Sequence, residues 1–267
     1  MKEIFQIDCA ESGTGIQPVL NIRTGQHHFS YAITDLDSGL LKMIKYFTSD
    51  EYIGSEDVNA VINLSPELSS SFYRVKICFD YPDNMPVTAD GFQKDNAGLL
   101  KAFNGGYITI SDEMTAGHLV NVYQVPADLY DLLLRKFPAS VTFHGTTVDV
   151  RQIKSVSAHG LLQVDVRHHE FSVFAFRSGK LLFSQTFEYA SPEDVIYYLL
   201  SICRQYSLSQ NEVDLILSGL IEKESALYRD LYQYFINISF REPEWNVTGG
   251  EYPLHFFTAL NDLAKCE

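Results

Sequence analysis

Long apolar runs are missing from this chain. None approaches the ~20 residues that a membrane-spanning helix needs, so no membrane span is expected. The opening stretch "MKEIFQIDCAESGTG" also lacks the apolar centre of a secretory signal. Cysteine is sparse: Cys9, Cys78, Cys203 and Cys266 stand far apart, with no C-x-x-C pair. That excludes a disulfide framework and a thiolate zinc knuckle, and suits free thiols in a reducing compartment. Together these absences lead to the expectation of a cytoplasmic protein. In that setting the glycosylation triplets beginning at Asn63, Asn237 and Asn246 are coincidental.

Positive charge is also short. Twenty Lys and Arg against 34 Asp and Glu leave a formal net charge of −14. Phosphate backbones and anionic lipid surfaces reward the opposite balance, so no nucleic-acid partner is expected, while an unidentified protein partner fits. Phosphate-binding and nucleophile signatures are absent too: there is no G-x-x-x-x-G-K-[ST], no G-x-G-x-x-G and no G-x-S-x-G.

What the chain has is ample core material. Hydrophobic residues make up 46% and aromatics 13%, which excludes a disordered chain. The length of 267 residues suits one large domain or two smaller ones.

The second half is the more regular. "LLQVDV" reads as a short strand ending near Asp165, and "FSVFAF" and "KLLFSQTF" as a hairpin around Ser178-Gly179. Ser191, Pro192, Glu193 and Asp194 form a helix start, and "VIYYLLSICRQY" carries one broad apolar face. A strand "VDLILSG", a helix "EKESALYRDLYQYF", a strand "NISF" and a helix "LHFFTALNDLAK" follow. The Tyr-rich helices read as packing faces.

The first half repeats this order. "VLNIR", "FSYAIT" and "GLLKMIKYF" are strands, the last two joined around Asp37-Ser38-Gly39. Ser55 is placed as the cap of "EDVNAVINL", and "FYRVKICF" is the next strand. Leu20-Asn21-Ile22-Arg23 aligns with Val164-Asp165-Val166-Arg167, and both copies continue into a His pair. Residues 80–125 read as an insertion with a hairpin, "YITISDEM" and "HLVNVYQV", turning at Thr115-Ala116-Gly117; "YPDNMPVTADGFQKDNAG" is its least structured part. "PADLYDLLLRKF", "SVTFHG" and "VDVRQIKSV" complete the half as helix, strand and short helix.

Two β-β-β-α-β-α-β-α halves in one α/β chain resemble the actin-like ATPase fold, a pair of ribonuclease H-like halves with a cleft between them. In particular the chain resembles a Bacteroidetes protein family of unknown function with this fold, distantly like bacterial cell-division and pilus-assembly actin homologues. The expected division is residues 1–158, with the insertion at about 80–125, and residues 159–267. The resemblance implies an ATP site built from two glycine-bearing phosphate hairpins, each after a strand ending in Asp, and a glycine pair for adenosine. Here Asn21 stands at the first Asp position and only Gly25 follows it. Asp165 is present in the second, but "RHHE" has no glycine, and Gly219 is followed by Leu220 and Ile221. Asp165, Gly25 and Gly219 are therefore cofactor-binding candidates only if the nucleotide site survives.

The main expectation is a protein without ATPase activity, without cofactor, serving as a scaffold or protein-interaction module. The alternative is an atypical ATPase of the inter-half cleft, with ATP and Mg²⁺ as cofactors and the Arg23–Gln26 corner facing phosphate. No catalytic residue is assigned. No metal site is assigned either: neighbouring His residues on a strand face opposite ways, so neither His27-His28 nor His168-His169 offers two rings to one ion, and a site joining the two pairs has no supporting pattern. A nuclease-like cluster of Asp165 with Asp214 and Glu193 is disfavoured, since Glu193 suits a helix's first turn and Asp214 a strand start.

Overall fold

A computed structural model describes residues 1–9, 17–92, 105–115, 119–153, 157–245 and 252–266. The chain divides into two compact units, Met1–Arg151 with Trp245–Thr248 and Asp262–Glu267, and Gln152–Glu244 with Gly249–Asn261.

In the first unit the strands β1 (Lys2–Asp8), β2 (Pro18–Thr24), β3 (His28–Asp35) and β4 (Leu41–Thr48) precede helix α1 (Ser55–Leu64) and β5 (Arg74–Phe79). Then come β6 (Asn84–Thr88), β7 (Tyr107–Thr115), β8 (Leu119–Pro126), α2 (Ala127–Lys136), β9 (Ser140–His144) and α3 (Gly145–Gln152). The main sheet has the order β1-β4-β3-β2-β5-β9, with β2, β5 and β9 parallel and the other neighbours antiparallel. Alternation along β2 and β5 sends Leu20, Ile22, Val75 and Ile77 under α1 and α2, where they meet Val58, Ile62, Leu129 and Leu133. Cys78 goes to the other face, with Phe143, Val148 of α3 and Leu263. Both faces are covered, so β2 and β5 are buried at nearly every position, the polar Asn21, Arg23 and Lys76 included.

The second unit holds β10 (Leu161–Val166), β11 (Glu170–Arg177), β12 (Lys180–Glu188), α4 (Pro192–Gln205), β13 (Asp214–Gly219), α5 (Ala226–Tyr234) and β14 (Asn237–Phe240). A 3-10 turn at Leu254–Phe257 leads into the last helix, α6 (Thr258–Lys265), whose end belongs to the first unit. The sheet order is β12-β11-β10-β13-β14, with β10, β13 and β14 parallel. Leu162, Val164, Leu215 and Leu217 pack beneath Val195, Leu199 and Leu231 of the covering helices. The two sheets share one plan, three antiparallel strands followed by parallel additions, which is the expected duplicated α/β architecture.

Four local expectations need correction. Gly54, not Ser55, caps α1, because the Asp57 carboxylate reaches back 3.0 Å to the Gly54 amide. Helix α5 begins at Ala226, not in "EKE", because the Ser225 hydroxyl accepts the Tyr228 amide at 3.2 Å and starts the helix there. The stretch beginning at Tyr81 contains β6, which pairs with β8 to make a three-stranded sheet of order β6-β8-β7. β1 is an additional strand, outside the expected element order. The turn at residues 116–117, and the ends of the "YPDN" run and of "VDVRQIKSV", lie outside the described residues.

Candidate functional site

In sheets with parallel strands, ligand chemistry gathers at the carboxyl ends of those strands. Each unit of this chain has such an edge.

In the first unit β2 ends at Thr24, β5 at Phe79 and β9 at His144. Arg23 points onto the second face of the sheet and meets Asp80, the residue just after β5. Its Nε donates to Asp80 Oδ2 at 2.7 Å and a terminal nitrogen donates to Oδ1 at 2.8 Å. His28 Nε2 lies 3.0 Å from the same Oδ2, and the Cys78 thiol 3.8 Å from Oδ1. Arg23, His28 and Asp80 are each about 3% exposed at the side chain. Burial alone would raise the Asp80 carboxyl, but the Arg23 guanidinium and the His28 hydrogen bond outweigh it and hold the group well below the usual carboxylate range. Burial pushes the Cys78 thiol up, and the Asp80 charge adds to that, so Cys78 is a poor nucleophile here.

The cluster is close-packed. A Cβ on Gly145, the first residue of α3, would lie 1.8 Å from Asp80 Oδ1, so glycine is what lets this carboxylate sit at the helix start. Gly25 has a similar explanation. A Cβ there would lie 2.5 Å from His28 Cε1 and 3.2 Å from the Asp80 carbonyl oxygen. Its amide donates to the His28 carbonyl at 3.0 Å, closing a tight turn through Gln26 and His27. Arg23 thus turns inward to Asp80. Asn21 is fully buried, and its amide reaches Thr34 Oγ1 at 3.3 Å.

In the second unit β10 pairs with β13 so that Asp165 lies beside Ser218, and Val166 beside Gly219. Ser218 Oγ donates to Asp165 Oδ1 at 2.9 Å, and Arg167 donates to Oδ2 at 3.0 Å. Arg167 is fully occupied in this corner. Its Nε donates to Glu170 Oε1 at 2.7 Å, and another nitrogen donates to Ser172 Oγ at 2.8 Å. Ser172 in turn sits 2.8 Å from Thr186 Oγ1. Arg167, Asp165 and Glu170 are nearly solvent-free. The Arg167 amide donates to the Glu170 carbonyl at 2.8 Å, which makes His168-His169 the two central residues of the turn. These His residues therefore lie in a turn and not on a strand, so the expectation that neighbouring rings face opposite ways does not hold for them; their rings stand 4.1 Å apart, centroid to centroid, at 61°.

Gly219 has φ +81°, a left-handed conformation that favours glycine, and a Cβ on it would lie 2.1 Å from the Val166 carbonyl oxygen. The strand β10 backbone fills the space this glycine leaves. Asp214 and Glu193 do not join Asp165. Asp214 pairs with Leu161, four residues along the strand and about 13 Å away at ~3.3 Å per residue. Glu193 sits in the first turn of α4.

A family described as "Protein of unknown function (DUF3822)" matches residues 16–238. The chain belongs to this family. A crystal structure of a Bacteroides thetaiotaomicron protein with actin-like ATPase fold and unknown function is similar over 95% of this chain and 97% of that one, with a TM-score of 0.78 and 22% identity. The PilM–PilN type IV pilus biogenesis complex is similar over 92% of this chain and 97% of that chain, TM-score 0.62, 12% identity. The ethanolamine utilization protein EutJ from Carboxydothermus hydrogenoformans follows at 92% and 88%, TM-score 0.55, 8% identity. Among curated proteins there is no match. These likenesses establish the actin-like ATPase fold for this member of the family. No helix among the described residues is long and apolar enough to cross a membrane.

The residues that dominate the two corners were mostly not candidates from the sequence. Asp80, His28, Gly145, Arg167, Glu170 and Ser218 carry no motif. One signal was available: Arg23 and Arg167 stand at the same place in the two aligned segments, two residues past Asn21 and Asp165.

Proposed function

We propose that this chain has lost ATP hydrolysis and serves as a scaffold or protein-interaction module of cytoplasmic location. The supporting observation is the pair of inward-turned arginines. At both corners where the fold would offer backbone amides to phosphate, a buried arginine is already bound to one of the chain's own carboxylates, Arg23 to Asp80 and Arg167 to Asp165 and Glu170. Removing a partner from such a buried ion pair leaves an uncompensated charge, so neither arginine is readily released to a nucleotide.

The fit of Mg–ATP to these residues is poor for a second reason. Both oxygens of Asp165 are engaged, one by Ser218 and one by Arg167. Gly25 and Gly219 leave no cradle, since His28 and the Val166 backbone occupy the space beside them. The candidate residues Asp165, Gly25 and Gly219 are accordingly proposed as structural, not as cofactor ligands.

Isothermal titration calorimetry of the full chain with ATP and Mg²⁺ tests this reading. The expected result is no binding heat and no phosphate release. Micromolar binding, or turnover, overturns it. In that event Asp165→Asn discriminates further, because a carboxylate that helps hold Mg–ATP would take the nucleotide-dependent thermal shift with it when neutralised.

A further inference from the structure

Edge strands expose a row of backbone donors and acceptors, and proteins usually blunt them. In the first unit the outer edge of β4 is covered by β1, which pairs with it antiparallel from Lys2↔Thr48 to Asp8↔Met43. β1, the new edge, carries Lys2, Glu3 and Asp8 among its seven residues. In the second unit β12 occupies the place of β4, and no strand among the described residues pairs with its outer edge. The opposite edge of that sheet, β14, is only four residues long. β12 is nine residues long, has no proline, and is uncharged from Leu181 to Phe187; its one irregularity is a bulge at Leu182, where the pairing with β11 steps from Phe183 to Leu181.

We propose that the outer edge of β12 is a self-association surface, on which a second copy of this chain pairs its own β12 antiparallel about a two-fold axis at Ser184. The strand "KLLFSQTFE" is self-complementary about that residue. Antiparallel pairing centred there brings Lys180 to the second copy's Glu188 end at each side of the interface, within one residue of directly opposite because of the Leu182 bulge. Phe183 meets Gln185 on either side of Ser184, and the bulged pair Leu181-Leu182 lies against Thr186 and Phe187. Opposite charges at facing or diagonal positions of an antiparallel pair are stabilising, and like charges are not. Both side chains are long enough to meet across the one-residue offset, so this register is favoured over slipped ones.

Side-chain burial agrees with an edge that has more to cover. Every residue from Leu181 to Phe187 is half-buried, whereas the neighbouring β11 is buried from Glu170 to Phe176. Phe183 and Phe187 stack with centroids 6.2 Å apart, and Phe187 lies 4.1 Å from Tyr198, so the added strand would extend an aromatic face already in place. The same patch on both copies makes the contact isologous, and it closes as a dimer instead of propagating. This inference is independent of whether any nucleotide binds.

Sedimentation velocity of the full chain over a concentration series tests it. A concentration-dependent monomer–dimer equilibrium is expected. Lys180→Glu and Glu188→Lys singly should each weaken it about tenfold, the ratio that corresponds to ~1.4 kcal/mol. The double charge swap Lys180→Glu/Glu188→Lys should return it to within about threefold of the parent, since it restores opposite charges across both ends. Circular dichroism melts confirm that all three variants fold. A monomer at every concentration, open-ended polymers, or a double swap no better than the single changes would each overturn the proposal.

Discussion

Arg23 holds Asp80 by both carboxylate oxygens, at 2.7 and 2.8 Å, across 57 residues of sequence and with almost no solvent access on either side. The bidentate geometry matches the planar guanidinium, so lysine is not an equivalent. Each partner therefore has a large stake in the other. Asp80→Ala is expected to destabilise the chain by about 3–5 kcal/mol, because it leaves Arg23 buried without its counter-charge. Replacing both, Arg23→Met with Asp80→Leu, should cost less than the single change. Urea unfolding of the three proteins checks the ordering.

The same pair gives a pH dependence with a definite sign. The folded Asp80 carboxyl lies well below its ordinary value of 3.8, while the unfolded chain has the ordinary one. The unfolded state then binds the proton more readily. The contribution of Asp80 is fully present above about pH 4 and is lost as pH falls from there through the folded pKa. An Asp80→Asn chain should lack that part of the acid dependence, which stability curves between pH 2 and 6 would reveal.

Gly25 and Gly219 separate a structural role from a nucleotide role. If their purpose is packing, alanine at either should lower stability without nucleotide present. Gly219→Ala combines an unfavourable φ of +81° with a Cβ 2.1 Å from a backbone oxygen, which has nowhere to go. A loss of at least ~2 kcal/mol is expected. Gly25→Ala collides mainly with the end of the His28 ring at 2.5 Å, so adding His28→Ala should recover part of the loss. Thermal unfolding of Gly25→Ala with and without the second change reads this coupling directly.

How much of this was legible beforehand depended on how local the cause was. The turn at Ser178-Gly179 was readable because both residues take positive φ, 51° and 73°, and the pair suits a two-residue hairpin. The start of α4 was readable because Ser191, Pro192 and Asp194 act within one turn: the Asp194 carboxylate accepts the Ser191 amide at 2.9 Å. β1 was not readable, since what makes "KEIFQID" a strand is the edge of β4 some forty residues later. The corners failed for the same reason. "RHHE" showed the missing glycines, but not that Arg167 would fold back 3.0 Å from Asp165, and nothing near Asp80 announces Arg23 or Gly145.

Lys76 shows how a charge can be buried on a strand of this sheet without chemistry attached. It is 4% exposed, and its ammonium donates to the carbonyl oxygens of Ala264, at 2.7 Å, and Cys266, with Leu263 at 3.5 Å. These oxygens belong to the end of α6, where helical carbonyls lack partners and the dipole favours a cation. Lys76→Met keeps most of the stem's packing but removes the donors, leaving carbonyls unsatisfied at about 1–3 kcal/mol each when they stay dry. The cheaper outcome is that the last turn of α6 opens to water. Amide exchange in residues 262–266 should therefore quicken by an order of magnitude or more in Lys76→Met, while exchange in the β10–β13 core of the second unit stays within about twofold of the parent. Lys76→Arg, which keeps the charge but not the compact ammonium, should give an intermediate rate.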